Sequence, residues 1–301
     1  MNAVAEARLF VHAPWSAPLE AFEARYQALL AVTEDALNPV GQALWHAAAC
    51  KGKRVRPMLM MHAAHDLGLH DRACLDLAAA VEMIHTASLI IDDLPCMDDA
   101  ALRRGQPTVH RLFGQDVAIL AAIALIMKAF EVVSGQQDMT PAQRMTIVGR
   151  LSAVSGFDGL IQGQMRDLQG ARTHTSLDEV ATTNALKTGS LFTVAFEAVG
   201  VLAWAEGIVM QSLRGCAHEI GQAFQLVDDL RDDPKQDPLS YGKDVGKDLG
   251  KNTGVQLMGL ATTRERILAH MQRADRHLLG AAGGFPSTRH YLQRMLRACM
   301  A

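Results

Sequence analysis

The chain is 301 residues long, 49% apolar and 20% charged, with a net charge of −3. That length admits two average domains or one large helical one, and the apolar fraction supports a sizeable core. With no global basic field, nucleic acid is excluded as the expected partner, and an anion must be met by local clusters.

Along the chain, the first segment, Met1 to Glu20, lacks a basic stretch followed by a long apolar run, so no secretory signal is expected. Apolar residues then recur at helical spacing, and Ala, Leu, Met, Gln and Glu dominate. Turn residues punctuate this pattern at Gly68, Gly105-Gln-Pro107, Gly135 to Pro141, Gly170 to Ser176, Asp233 to Gly254 and Gly283 to Ser287. Strand signals are nearly absent. No composition break, short repeat or low-complexity tract divides the sequence. The expectation is one all-α domain over 1–301.

A basic cluster comes first: Lys51, Lys53, Arg54 and Arg56. A long apolar helix is expected next, ending at Asp92. His85 lies two helical turns before Asp92 on the same face, where it is positioned to meet a phosphate. The helix runs into Asp92-Asp93-Leu-Pro-Cys-Met-Asp98-Asp99. Pro95 removes a backbone donor and interrupts the helix. A bulge around it would bring Asp92 and Asp98 together on one ion. A second basic pair, Arg103 and Arg104, follows.

The longest apolar run, Val117 to Met127, is ended by Lys128 and reads as a buried helix too short to span a bilayer. Further on, Lys187 stands beside Thr188. A second acidic cluster, Phe224-Gln225-Leu-Val-Asp228-Asp229-Leu-Arg-Asp232-Asp233, again follows an apolar helical run. Asp228 and Asp232 share a face, and like charges at that spacing destabilise an isolated helix. A hard divalent cation offsets such repulsion, and Mg²⁺ typically takes one or two carboxylates plus substrate phosphates. Lys243, Lys247 and Lys251 lie near Thr, Gly or Asp.

Each cluster alone is more simply a solvated acidic helix end or a set of surface cations. Two acidic clusters fused to apolar helices, with scattered cations, describe a site for diphosphates with hydrocarbon tails. The five cysteines, Cys50, Cys74, Cys96, Cys216 and Cys299, are scattered without a CxxC pair and suit reduced thiols in a cytosolic protein.

These segments resemble the trans-isoprenyl diphosphate synthase family. Asp92 to Asp98 is similar to its first motif, DDxxxxD, and Asp228 to Asp232 to its second, DDxxD. Gly52-Lys-Arg-Val-Arg-Pro57 is similar to GKRxRP, and Leu102-Arg-Arg-Gly-Gln-Pro-Thr108 to LRRGxPT. Gly163-Gln164 with Asp167, Lys187-Thr188-Gly189 and Gly242-Lys243-Asp244 also fit. Within the family, the phrases DDLPCMDDA and VAILAAIAL most resemble the bacterial carotenoid-pathway geranylgeranyl diphosphate synthases. One departure is visible: Lys251-Asn-Thr253 is followed by Gly254-Val255 rather than an aromatic residue and a proline.

The resemblance implies an all-α isoprenoid synthase fold, with helices around a central apolar cavity, and a cytoplasmic homodimer without a transmembrane segment. It implies three Mg²⁺ per active site, with Asp92 and Asp98 holding two and Asp228, aided by nearby acids, the third. Asp93, Asp229 and Asp232 complete the catalytic acids. Arg103, Lys187 and Lys243 grip the allylic diphosphate, with Lys251 also on the substrate side. Lys53, Arg56, His85 and Arg104 hold isopentenyl diphosphate, and Thr188 and Gln225 sit near the developing carbocation. The implied activity is condensation of isopentenyl diphosphate with dimethylallyl, geranyl and farnesyl diphosphates to geranylgeranyl diphosphate. Ala87, five residues before Asp92, stands where resembling farnesyl-producing enzymes place an aromatic floor, with Ser88 beside it. The small residue is expected to let the product reach C20. The alternatives are a farnesyl diphosphate synthase stopping at C15, a terpene cyclase, or a non-catalytic subunit. The aspartate-rich second motif and the retained Lys53 and Arg56 weigh against a cyclase, and the intact aspartates against a subunit without activity.

Overall fold

Helix starts are written into the sequence by capping chemistry. The structure, a computed structural model, describes residues 16–30, 38–50, 52–69, 72–169, 176–231 and 253–300. After α1 (Ser16–Leu30), Asn38 accepts the Gly41 amide at 2.7 Å, and Pro39 fills the first position of α2 (Pro39–Ala49). Pro is pre-set for that position, where its missing donor is not needed. There follow α3 (Val55–Asp66), α4 (Arg72–Asp92), α5 (Val109–Phe113) and α6 (Gln115–Gly135). Thr140 and Gln143 form a capping box at the start of α7 (Pro141–Ser155). A π-turn over Phe157–Ile161 leads into α8 (Gln162–Leu168). Ser176 and Glu179 box the start of α9 (Leu177–Asn184). A second π-turn, Ala185–Gly189, joins it to α10 (Ser190–Leu202). The chain continues through α11 (Gly207–Arg231), α12 (Gly254–Met258), α13 (Leu260–Leu279) and α14 (Pro286–Met300).

The all-α expectation holds with one addition. Leu102–Arg103 and Gln106–Pro107 pair as a two-residue antiparallel hairpin. Its turn residues, Arg104 (φ +54°) and Gly105 (φ +75°), are both left-handed, as a tight hairpin turn of this hand requires. Such a short ladder leaves no alternating pattern to read in the sequence.

Backbone contacts divide the described residues into two units. One is drawn from Met1–Met58 and Leu75–Asp138, the other from Leu59–Cys74, Met139–Asp233 and Asp248–Ala301. In the first, Leu77, Ala78, Ala79, Ala80, Met83 and Ile84 of α4 are buried, as are Ala118, Ala121, Ala122 and Leu125 of α6. Small alanines let helix backbones approach closely and fill the space without rotamer entropy. In the second, α10 is buried along nearly its whole length from Leu191 to Gly200, and α11 packs on it and on α13.

The run Val117 to Met127 is part of a longer helix than its composition indicates. The 21-residue α6 is long and apolar enough to cross a membrane by length and composition, as are Arg72–Asp92 and Leu177–Leu202. The other two bury 72% of their apolar windows inside the protein, whereas α6 buries 39%. Lys128 is a good helix former and α6 runs on through it to Gly135, but α6 is not the buried helix expected from its apolar run, because Ile119, Leu120, Ile123 and Met127 are exposed.

Candidate active site

The first aspartate segment begins where α4 stops. Pro95 lies in a closed loop rather than in a helix. The Asp98 amide donates to the Asp92 carbonyl at 2.9 Å, the Asp99 amide to Leu94 at 3.0 Å and the Ala100 amide to Asp93 at 3.2 Å. Six residues of sequence are folded back so that Asp92 and Asp98 become neighbours, the bulge the proline predicts. Both are half-buried. Asp93 points elsewhere: it is 4% exposed and accepts a fork from Arg103, at 2.5 and 3.0 Å on one oxygen. Burial pushes the Asp93 carboxyl up, and Arg103 opposes that shift. Asp92 and Asp98 carry the hard oxygen donors that Mg²⁺ takes. Among the described residues no group of three or more His, Cys, Asp or Glu forms a complete ligand set.

Cations of the first unit lie along the same helix, α4. Arg54 is 2% exposed and has a left-handed backbone (φ +46°). Its guanidinium donates to Glu82 at 2.7 Å, to Glu23 at 2.8 Å and to the Ala48 carbonyl at 3.0 Å, and it lies 5.1 Å from the Tyr26 ring centroid. Arg104 donates to the Cys50 carbonyl at 3.0 Å and lies over Gly52, where any Cβ would strike its guanidinium. Lys53 is exposed and Arg56 buried. His85 is half-buried, and its imidazole is pushed well below the usual range, first by burial and then by Arg56, Arg104, Arg103 and Arg54. It is thus neutral at physiological pH, and can donate a hydrogen bond while carrying no charge.

Ala87 is fully enclosed. The half-buried stripe leading back from Asp92 is Leu89, Ser88 and His85, and the Ser88 hydroxyl donates to the His85 carbonyl at 2.8 Å.

The second unit carries the other acids on a continuous helix. Asp228 is half-buried and Asp229 is 8% exposed. A chain of hydrogen bonds runs from the Thr188 hydroxyl to the Gln225 carbonyl oxygen (2.7 Å), and from the Gln225 amide to Asp229 (3.0 Å). The Gly254 amide also donates to Asp229, at 3.1 Å. Lys187 donates to Asp167 at 2.8 Å. This approach depends on glycine: a Cβ on Gly163 would collide with the Lys187 backbone, and one on Gly221 would come within 2.6 Å of the Gly189 Cα. The π-turn that carries Lys187 and Thr188 is thereby pressed against α8 and α11. Such turns place an extra residue in a helix and recur at functional sites. Asp232, Lys243 and Lys251 lie outside the described residues.

Two residues of this arrangement escape sequence reading. Glu82 interrupts the apolar run of α4 three residues before His85, a buried-position acid that signals a partner. The Gly254 amide carries no side-chain signal at all.

Comparison with known proteins places these features in context. The family model described as Polyprenyl synthetase matches residues 38–277. A geranylgeranyl diphosphate synthase of Pantoea ananas is 42% identical over 84% of this chain and 83% of its own length. A farnesyl diphosphate synthase of Geobacillus stearothermophilus is 35% identical over 80% of this chain and 82% of its own length. Among solved structures, a geranyltransferase from Helicobacter pylori complexed with magnesium and isoprenyl diphosphate superposes with a TM-score of 0.83. It is 26% identical and covers 95% of this chain and 98% of its own.

Proposed function

The chain belongs to the polyprenyl synthetase family, and from that premise we propose that it condenses isopentenyl diphosphate with allylic diphosphates and carries the product to geranylgeranyl diphosphate. The observation that carries the reading is the closed loop that makes Asp92 and Asp98 neighbours, followed directly by the Arg103–Arg104 hairpin. It couples donors suited to Mg²⁺ with cations suited to diphosphate.

The residue roles follow from this chemistry. Asp92 and Asp98 hold Mg²⁺ on the first segment, and Asp228 holds it on the second, three ions in all. When bound, Mg²⁺ neutralises the departing diphosphate and so promotes ionisation of the allylic C–O bond. Arg103, Lys187 and Lys243 grip the allylic diphosphate. Lys53, Arg56, Arg104 and the neutral His85 hold isopentenyl diphosphate. Oxygens of Thr188 and Gln225 present their dipoles to the developing cation. Asp93 fixes the Arg103 fork, and Asp229 ties Gln225 in place. The double bond of isopentenyl diphosphate attacks the allylic carbon, and the proton lost passes to the diphosphate leaving group. No protein nucleophile is needed.

The family match runs without a break through segments of both units, which supports one polyprenyl synthase domain over 1–301. The outer face of α6 exposes Ile119, Leu120, Ile123 and Met127, at 45 to 57% each, and this apolar face supports a homodimer. No membrane-spanning role is proposed for the long apolar helices. The free thiols of Cys50, Cys74, Cys96 and Cys216 fit a cytoplasmic enzyme. The resemblance to bacterial geranylgeranyl diphosphate synthases supports a role for the C20 product in carotenoid assembly.

The test is turnover by the purified chain with Mg²⁺, isopentenyl diphosphate and each allylic primer, with products read by mass spectrometry. A dominant C20 diphosphate is expected. A dominant C15 diphosphate makes it a farnesyl diphosphate synthase, a cyclised hydrocarbon makes it a cyclase, and no turnover makes it a non-catalytic subunit.

A further inference from the structure

Glu82 is an ionisable side chain buried to 2% in the apolar run Ala78-Ala-Ala-Val-Glu82-Met-Ile84. A lone carboxylate there would be strongly unfavourable, so its partners determine what it does. Its Oε1 accepts from Arg54 at 2.7 Å and stands 3.8 Å from the Arg104 guanidinium. One carboxylate thus meets two arginines from separate segments. Both have left-handed backbones, at φ +46° and φ +54°, a conformation that persists only where surrounding contacts over-determine it. Around Arg54 those contacts are unusually complete: Glu23, Glu82, the Ala48 carbonyl and the rings of Phe22 and Tyr26. Arg54 is therefore an anchor, with Lys53 and Arg56 beside it in sequence. Arg104 differs. Its only short bond among the hydrogen bonds described is to the Cys50 carbonyl, and its guanidinium is pushed down first by burial and further by Arg54 and Arg103, with Glu82 opposing them. Glu82 is thus the acid that holds its charge in place.

We propose that Glu82 is a positioning residue for the isopentenyl diphosphate cradle: it fixes Arg54 and steers Arg104, and so sets where the Lys53–Arg56 segment and Arg104 present their charge. The inference rests on the proposed function, which assigns Lys53, Arg56, His85 and Arg104 to that diphosphate. Glu82 touches no substrate in this scheme. Its carboxylate stands one turn from His85 on α4, so the helix carries the ligand and the residue that organises the other ligands together.

The experiment compares Glu82→Gln with the unaltered enzyme at saturating allylic diphosphate and Mg²⁺. Glu82→Gln keeps the shape and one acceptor oxygen but removes the charge. Losing a charge-assisted bond at this position raises the KM for isopentenyl diphosphate about ten-fold. The KM for the allylic diphosphate stays unchanged, and kcat changes by less than about three-fold. Binding of inorganic pyrophosphate, titrated without Mg²⁺, weakens by a similar factor. A merely structural role would lower the melting temperature and the active fraction while leaving that KM in place, and this result overturns the proposal. Glu82→Asp keeps the charge, withdraws it by one methylene, and covers the case in which Glu82→Gln does not fold. It is expected to raise the same KM about three-fold, and an unchanged KM in the folded Asp variant likewise overturns the proposal. Failure of the unaltered enzyme to saturate with isopentenyl diphosphate sinks the functional reading and the inference with it. Saturation by the unaltered enzyme with no change in the variants sinks the inference alone.

Discussion

In the first aspartate-rich segment the helix stops at Asp92 and the acids continue around a closed loop; in the second, α11 runs unbroken through Asp228 and Asp229 to Arg231. The inner acid of each pair is buried. Among the contacts of the described residues, Asp93 takes the charged fork of Arg103, and Asp229 takes the Gln225 side-chain amide and the Gly254 backbone amide. The difference follows from the backbone. A loop closed on itself brings a hairpin arginine back onto the aspartate ten residues earlier. A continuous helix brings Asp229 its i−4 neighbour Gln225, and a separate element brings the Gly254 amide. In both segments the outer acid, Asp92 or Asp228, stays half-buried.

The strongest way to break this comparison is to remove the outer acids. Asp92→Ala and Asp228→Ala are each expected to lower kcat by about 10³-fold or more, as loss of charge stabilisation at the leaving group requires. Circular dichroism should show both variants folded. Near-native turnover in either would mean that its segment does not hold the metal.

The second expectation concerns acid stability and belongs to neither segment. His62 is 3% exposed, stacks on Tyr291 with ring centroids 4.9 Å apart, and has its Nδ1 2.8 Å from the Ser287 hydroxyl. Burial pushes its imidazole down to about 4, partly opposed by Asp66. The unfolded chain takes up this proton near 6.5 and the folded one only near 4. The contribution is therefore fully present above the unfolded value and is lost as the pH falls from about 6.5 to 4, about 3 kcal/mol in all. His62→Gln should flatten that limb in thermal melts between pH 8 and pH 4. An unchanged limb would assign it to other groups, including the acids of the two segments.

A smaller effect sharpens the contrast between charge and dipole. Arg103→Met leaves Asp93 buried without its fork and should destabilise the fold by about 2 kcal/mol. Gln225→Met removes one of the two amides on Asp229 and should cost about 1 kcal/mol. Urea denaturation of both variants tests the order, and equal losses would mean that the Arg103 fork holds Asp93 no more strongly than the Gln225 amide holds Asp229.

The mildest change in rate is expected from the product-length positions of the first segment. Ala87→Tyr should shift the main product from C20 to C15 while the first condensation persists. Because Ala87 is fully enclosed, the ring should also overpack the core, at about 1–3 kcal/mol. Ser88→Phe, on the half-buried stripe, should give the same shift with little loss of melting temperature. Mass spectrometry of the products decides, and unaltered C20 in both variants would put the floor elsewhere.

Much of this was legible in the sequence because it depends on neighbours in the chain. Pro95 breaks the helix wherever it is placed, and the apolar runs before Asp92 and Asp228 are helical by their own periodicity. The order of the basic and acidic motifs gives the family resemblance directly. Less legible was anything carried by the main chain or by burial. The departure at Gly254-Val255 reads as a loss from the pattern, yet the Gly254 amide caps Asp229, and a side chain there would press on Leu226. Ala87 and Ser88 are adjacent letters, but a helix turns them to different faces, one enclosed and one half-buried.

By itself the sequence determined the helices, their stops and the residue types at the site, since propensity, capping and proline chemistry act over a few residues. Tertiary structure decided which charges pair. Glu82 could have been a stray acid and Arg54 one more surface cation. Their 2.7 Å contact exists because α4 and the segment before α3 meet in the fold. Coulombic pairing of buried groups depends on distance and local dielectric, and neither is set until distant segments pack together.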